Sequence, residues 1–148
     1  MNVEERIKTD KKLPLKSKTL IHLSLVEAMV NEVFTQKLKP FGVSLQQFNV
    51  LRILRGQKGK PANLSTLNER MVTKMSNTTR LVDKLIQKEY VDRVICKSNR
   101  RKVEISITHE GEEALNKIDQ VMAEAEEQLL RDFTNNDLKT LNALLDKF

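Results

Sequence analysis

The sequence predicts a mainly α-helical chain with one small β-hairpin, and two observations predict it. Apolar residues recur at spacings of three and four through most of the 148 residues, as helices facing a core require. Between Val91 and Thr108 the period changes to two, with Val103, Ile105 and Ile107 alternating with Glu104, Ser106 and Thr108. A chain of this length is expected to form one domain, 1–148.

Composition narrows the class. Hydrophobic residues make up 39% and charged residues 31%, too apolar for a disordered chain and too polar for a membrane protein. No apolar run approaches the roughly 18 residues of a spanning helix. The basic start (Arg6, Lys8, Lys11, Lys12) leads into Leu13-Pro14-Leu15-Lys16 rather than a signal-peptide core, so a cytoplasmic protein without membrane partners is expected. Cys96 is the single cysteine and has no intramolecular disulfide partner.

Residues 1–18 lack a clear period and read as a loose arm. From about Thr19 to Lys39 the stripe Leu23, Val26, Met29, Val30, Val33, Phe34 and Leu38 marks an amphipathic helix that Pro40 and Gly42 stop. Ser44 and Gln47 have capping-box spacing and open a second helix with Leu45, Phe48, Leu51 and Leu54 on its inner face. A short helix over about 63–71 follows, then a turn of about two residues and a helix over about 74–90 with Leu81, Val82, Leu85 and Ile86 inward. After the hairpin, Leu115, Ile118, Met122, Ala125, Leu129 and Phe133 form one helical stripe. Leu138, Leu141, Leu144, Leu145 and Phe148 form another beyond Thr134-Asn135-Asn136. Long terminal helices have little to pack on in so small a monomer, which favours a homodimer with Leu129, Phe133, Leu141 and Leu145 in its interface.

Helix, helix, turn, helix and hairpin in this order is a winged helix-turn-helix, a lobe at about 44–108 between terminal helices at about 19–40 and 109–148. Charge is segregated along it. Residues 70–102 hold ten basic side chains against three acidic ones, whereas residues 109–148 hold four against ten, so the central segment is the one suited to a polyanion. On the exposed side of the third helix stand Ser76, Asn77, Arg80 and Lys84. Arg pairs in bidentate fashion with guanine and Asn with adenine in the major groove, so Ser76, Asn77 and Arg80 are candidate base readers. Lys74, Lys84 and Lys88 suit phosphates, which position without reading sequence. The wing candidates are Lys97, Asn99, Arg100, Arg101 and Lys102, crowded at the hairpin tip where a narrow minor groove or flanking phosphates would receive them.

At these residues the chain resembles the multiple antibiotic resistance regulator (MarR) family. The resemblance rests on Thr79-Arg80-Leu81-Val82-Asp83-Lys84-Leu85, then Lys88-Glu89-Tyr90-Val91-Asp92-Arg93, then Asn99-Arg100-Arg101-Lys102-Val103, then Thr108-His109-Glu110-Gly111. These match the family's recognition helix, wing and closing T-x-x-G in order. The resemblance implies a dimeric transcriptional regulator built on its first and last helices, binding pseudo-palindromic double-stranded promoter DNA and releasing it to a small-molecule effector, typically as a repressor. Asn99 stands where the family has the wing Asp, which leaves the wing more positive than the pattern. The resemblance also places an effector pocket between dimerisation helices and DNA-binding lobe, for which His22, Val26 and Phe48 are lining candidates, although the same positions serve equally as core.

Other residues carry less. His22 and His109 lack neighbours at metal-ligand spacing, and no nucleophile elbow, phosphate loop, dinucleotide fingerprint or zinc motif occurs. No catalytic residue, metal site or cofactor is expected. His109, Glu112 and Glu113 belong at the start of a helix that Thr108 caps. Met71, Met75 and Cys96 read as packing residues. The competing reading is a sequence-tolerant architectural nucleic-acid-binding protein without effector response.

Overall fold

The computed structural model describes residues 1–73, 77–95 and 103–148. Within them the chain runs α1 (Val3–Arg6), α2 (Leu15–Leu38), a 3-10 turn (Lys39–Phe41), α3 (Leu45–Gly56), α4 (Leu64–Arg70), α5 (Thr78–Gln87), β1 (Val91–Ile95), β2 (Val103–Ile107), α6 (His109–Leu130) and α7 (Asn135–Leu145).

The caps follow the sequence. Ser44 Oγ accepts from the Gln47 amide at 3.1 Å while Gln47 Oε1 accepts from the Ser44 amide at 2.9 Å, so two of the free donors at the start of α3 are satisfied reciprocally. Thr108 caps α6, and Thr134 and Asp137 form a second reciprocal pair at α7. The Thr134 hydroxyl and amide hold the exposed Asp137 carboxyl below its ordinary pKa. Gly42 ends the 3-10 turn at φ 61°, a left-handed conformation that costs other residues about 1–2 kcal/mol.

The core is the meeting of α3, α5, the hairpin and α6. Leu51, Leu54, Val82, Leu85, Ile105 and Ile118 are buried there, each contributing about 1.5–3 kcal/mol of transfer free energy. β1 and β2 pair antiparallel with Ile95 opposite Val103 and Val91 opposite Ile107. Ala62 adds a third, one-residue rung by exchanging both backbone bonds with Ile105 at 2.8 and 2.7 Å.

Two expectations are corrected. The first 18 residues are not a loose arm: Asn2 caps α1, Val3 is fully buried and Lys18 pairs with Glu4 at 2.8 Å. That hydrogen bond from Lys18 holds the Glu4 carboxyl below its ordinary pKa, and Pro14, with φ preset near the helical value, lets α2 start at Leu15 rather than Thr19. The turn before the recognition helix is longer than two residues, because Met71 is already extended at ψ 133° and the described part of α5 starts at Thr78. The last apolar stripe, left open between a core within the chain and one between two chains, is uncovered in one chain: α7 has no buried residue, and Leu141, Leu144 and Leu145 are exposed.

The joint between α5 and α6 is sterically demanding. Glu89 leaves α5 at φ 62°, and its carbonyl accepts the Thr108 hydroxyl at 2.6 Å. The neighbouring carbonyl of Tyr90 accepts the Thr108 amide at 3.1 Å. Gly111 then sits so close that a Cβ there would lie 2.1 Å from Tyr90 O, a backbone atom that cannot swing away. Gly111→Ala is therefore expected to destabilise the fold by about 2 kcal/mol or more, as overpacking does. Glu89→Gly is expected to stabilise it by about 0.5 kcal/mol, the relief of left-handed strain less the extra entropy of an unfolded glycine. Urea midpoints of the two variants read both effects.

Candidate nucleic-acid interface

The recognition helix is positioned from its inner side. Leu81, Val82 and Leu85 anchor α5 in the core, and the buried Thr78 hydroxyl donates to Asn68 Oδ1 of α4, tying the two helices of the motif together. Helical spacing then turns Asn77, Arg80 and Lys84 to the opposite side, where all three are exposed. Asn77 occupies the N-cap position but makes no side-chain capping bond, so among the described residues its amide is not committed to the helix start.

Two charges of this region are already engaged. Arg93 of β1 pairs with Asp83 of α5 at 2.6 Å, joining wing base to recognition helix. This removes the one acidic side chain of α5 from the field and leaves Arg80 and Lys84 as the charges of its outer face. Lys88, exposed at the end of α5, extends toward the α2–α3 connection. Its Nζ lies against Gly42, 2.9 Å from where a Cβ would stand, because the C-terminal turn of α5 faces the α2–α3 connection.

Of the sequence-named residues, the structure brings Asn77, Arg80 and Lys84 onto one helix face. Lys74 and Ser76, and the wing residues Lys97, Asn99, Arg100, Arg101 and Lys102 together with Cys96, lie outside the described residues. Val94 and Ile95, at the end of β1 that leads into that segment, are 61% and 58% exposed rather than packed.

Beside the lobe a cleft of about 310 Å³ opens between α2, α3, α6 and the segment leading into α5. Phe34, Leu45, Phe48, Met71 and Met122 form its apolar wall, and Glu27, Asn31, Asn49, Arg52 and Glu126 its polar residues. Of the three lining candidates only Phe48 belongs to it; His22 and Val26 lie nearer the start of α2. The polar set went unread because Glu27, Asn31 and Phe34 repeat at four and three on α2, a mixed stripe that an apolar search passes over. Among the described residues no helix is long and apolar enough to cross a membrane.

A helix-turn-helix lobe with a hairpin and an outward polar face on its last helix defines a winged-helix protein of the DNA-binding class. Residues 43–103 match the model of the MarR family. The chain is 28% identical over 128 residues to the HTH-type transcriptional regulator PecS of Dickeya dadantii, covering 84% of this chain and 76% of that one. It is 29% identical over 118 residues to the uncharacterized HTH-type transcriptional regulator YpoP of Bacillus subtilis, covering 80% and 79%. Its fold is similar to that of a MarR-family transcriptional regulator from Rhodococcus sp. RHA1, with a TM-score of 0.78 at 22% identity over 90% of this chain and 94% of that one. It is also similar to apo MarR from E. coli, with a TM-score of 0.70 at 24% identity over 93% and 98%. The family match falls on the winged-helix segment of the chain, and both curated relatives are HTH-type transcriptional regulators.

The Asp83–Arg93 pair, with side chains 45% and 36% exposed, is expected to orient more than to stabilise. A double-mutant cycle with Asp83→Asn and Arg93→Gln, read by urea denaturation, should give a coupling below about 1 kcal/mol.

Proposed function

We propose that the chain acts as a homodimeric repressor that reads pseudo-palindromic promoter DNA with α5 and the wing and lets go when a small molecule occupies the cleft. The observation that carries the reading is the outer face of α5: Asn77, Arg80 and Lys84 exposed together, the Asn77 amide not committed to the helix start and Asp83 neutralised by Arg93. Such a face suits a major groove, with Asn77 and Arg80 on base edges and Lys84 on phosphate. Ser76 would join the base readers, Lys74 the phosphate contacts, and Lys97, Asn99, Arg100, Arg101 and Lys102 would extend the contact from the wing.

The pairing surface is supported by exposed apolar area that one chain cannot cover. Phe133, Leu141 and Leu145 are 46%, 39% and 40% exposed, and Leu20 and Met29 of α2 are 58% and 41% exposed. Leu129, half-buried at the end of α6, continues the surface. A second copy meeting it would remove this area from water, at about 25 cal/mol per Å². The cleft supports effector release because its wall includes Met71, Val72 and Thr73, the residues that lead into α5. A molecule seated there touches the segment that orients the recognition helix.

Fluorescence anisotropy on duplex from upstream of the protein's own gene, and on duplexes selected from random DNA, should show a preference of about a thousandfold over scrambled duplex. Arg80→Ala should cost about 1–3 kcal/mol and relax selectivity at one base pair. Lys84→Ala or Arg101→Ala should instead weaken all duplexes alike and lower the log-log salt slope by about 0.9. Equal affinity for specific and scrambled DNA after selection would favour the architectural reading. In sedimentation velocity, Leu141→Asp with Leu145→Asp should convert dimers to monomers; an unchanged dimer would remove α7 from the interface.

A further inference from the structure

We infer that the cleft between α2, α3 and α6 selects an aromatic cation, a planar ring system bearing an ammonium or amidinium group, over an aromatic carboxylate. The inference rests on the effector reading above and names the chemistry of that site.

The apolar wall sets the ring. Phe34 and Phe48 offer aromatic faces, and Met71 and Met122 offer polarisable side chains that adapt to a flat ligand. A volume of about 310 Å³ suits a one- or two-ring compound. The charge of the rim sets the rest. Among the described residues its ionisable groups are Glu27, Glu126 and Arg52. The Arg52 guanidinium lies over one face of Phe48, 5.5 Å from the ring centroid, and keeps its charge, so the three groups leave the rim negative by one. Among the described residues Glu27 accepts only from Asn31, at 3.5 Å, and neither it nor Glu126 is in an ion pair, whereas Glu124 and Asp119 on the same stretch of α6 are paired with Lys37 and Arg55. Two carboxylates, one on α2 and one on α6, therefore line an apolar cleft without an ionic partner among the described residues, and a ligand cation would pair with them while its ring meets the apolar wall. A carboxylate ligand would meet them as like charges. Because Val72 and Thr73 close the same cleft, binding there and binding of DNA by α5 are linked, and each ligand must weaken or strengthen the other by the same factor.

The test is isothermal titration of the full chain with two probes sharing one skeleton, 1-naphthylmethylammonium and 1-naphthoate. The ammonium should bind at least about tenfold more tightly, a difference of about 1.4 kcal/mol. Glu27→Gln with Glu126→Gln, both exposed positions, should cost the ammonium about tenfold or more and leave naphthoate unweakened, in a protein whose melting curve is unchanged. Naphthoate binding as tightly as the ammonium, neither probe binding, or an ammonium affinity indifferent to the double variant would each overturn the inference. Duplex anisotropy on the same samples separates the two readings. Specific DNA binding without the probe preference sinks only this inference; the probe preference without DNA binding sinks the regulator and leaves the cation site standing.

Discussion

The seat of α6 on the carbonyl of Tyr90 is the contact on which the rest of the arrangement depends. Glu89 turns through a left-handed conformation, Thr108 bonds back to the carbonyls of Glu89 and Tyr90, and Gly111 leaves room for a backbone atom where any side chain would collide. The end of the recognition helix and the start of the longest helix after α2 thus form a single joint. Further along α6, Arg55 of α3 pairs with Asp119 at 2.5 Å and Lys37 of α2 with Glu124 at 3.8 Å. These pairs are too exposed to contribute much energy, so they orient, while the glycine contact and the buried Leu115, Ile118 and Met122 hold. α6 leads directly to the exposed apolar face of α7, so the chain connects that face to the Tyr90–Gly111 joint at the end of α5.

Electrostatics follows from the same geometry. Burial of Leu81, Val82 and Leu85 fixes which face of α5 turns outward, and the Arg93 pair removes Asp83 from it. What faces outward is amide and cation. The acidic residues of α6 lie on the other side of the joint, where Glu124 is paired with α2, Asp119 with α3, and Glu126 lines the cleft. Segregation of charge along the sequence becomes segregation in space because Tyr90 to Gly111 is where the chain passes from one body to the other.

Much of this was legible in the sequence, for identifiable physical reasons. Periodicity of 3.6 and 2 separates the helices from the hairpin, and Ser44 with Gln47 fixes the start of α3 because capping is a local interaction. The T-x-x-G run at Thr108 to Gly111 was visible as a pattern, but its reason, the approach of Tyr90 O, is a tertiary contact across twenty residues. The same holds for Asp83 with Arg93 and for the approach of the Lys88 side chain to Gly42. The N-terminal arm was misread because a four-residue helix has too few turns for a period; the buried Val3 and the Glu4–Lys18 pair hold it in place. The apolar stripe of α7 was visible in the sequence, but that it is left exposed in one chain depends on how α7 sits beyond α6.

The central claim is that the α5–α6 joint carries two recognition helices as parts of one rigid pair. The measurement that tests it is a spin-spin distance between the two copies of a nitroxide at Gln87→Cys, an exposed site at the end of α5, in a Cys96→Ser background. A single narrow intermolecular distance is expected, settling near about 34 Å, one turn of B-DNA, when duplex is bound. A broad distribution, or no intermolecular coupling at all, would contradict it.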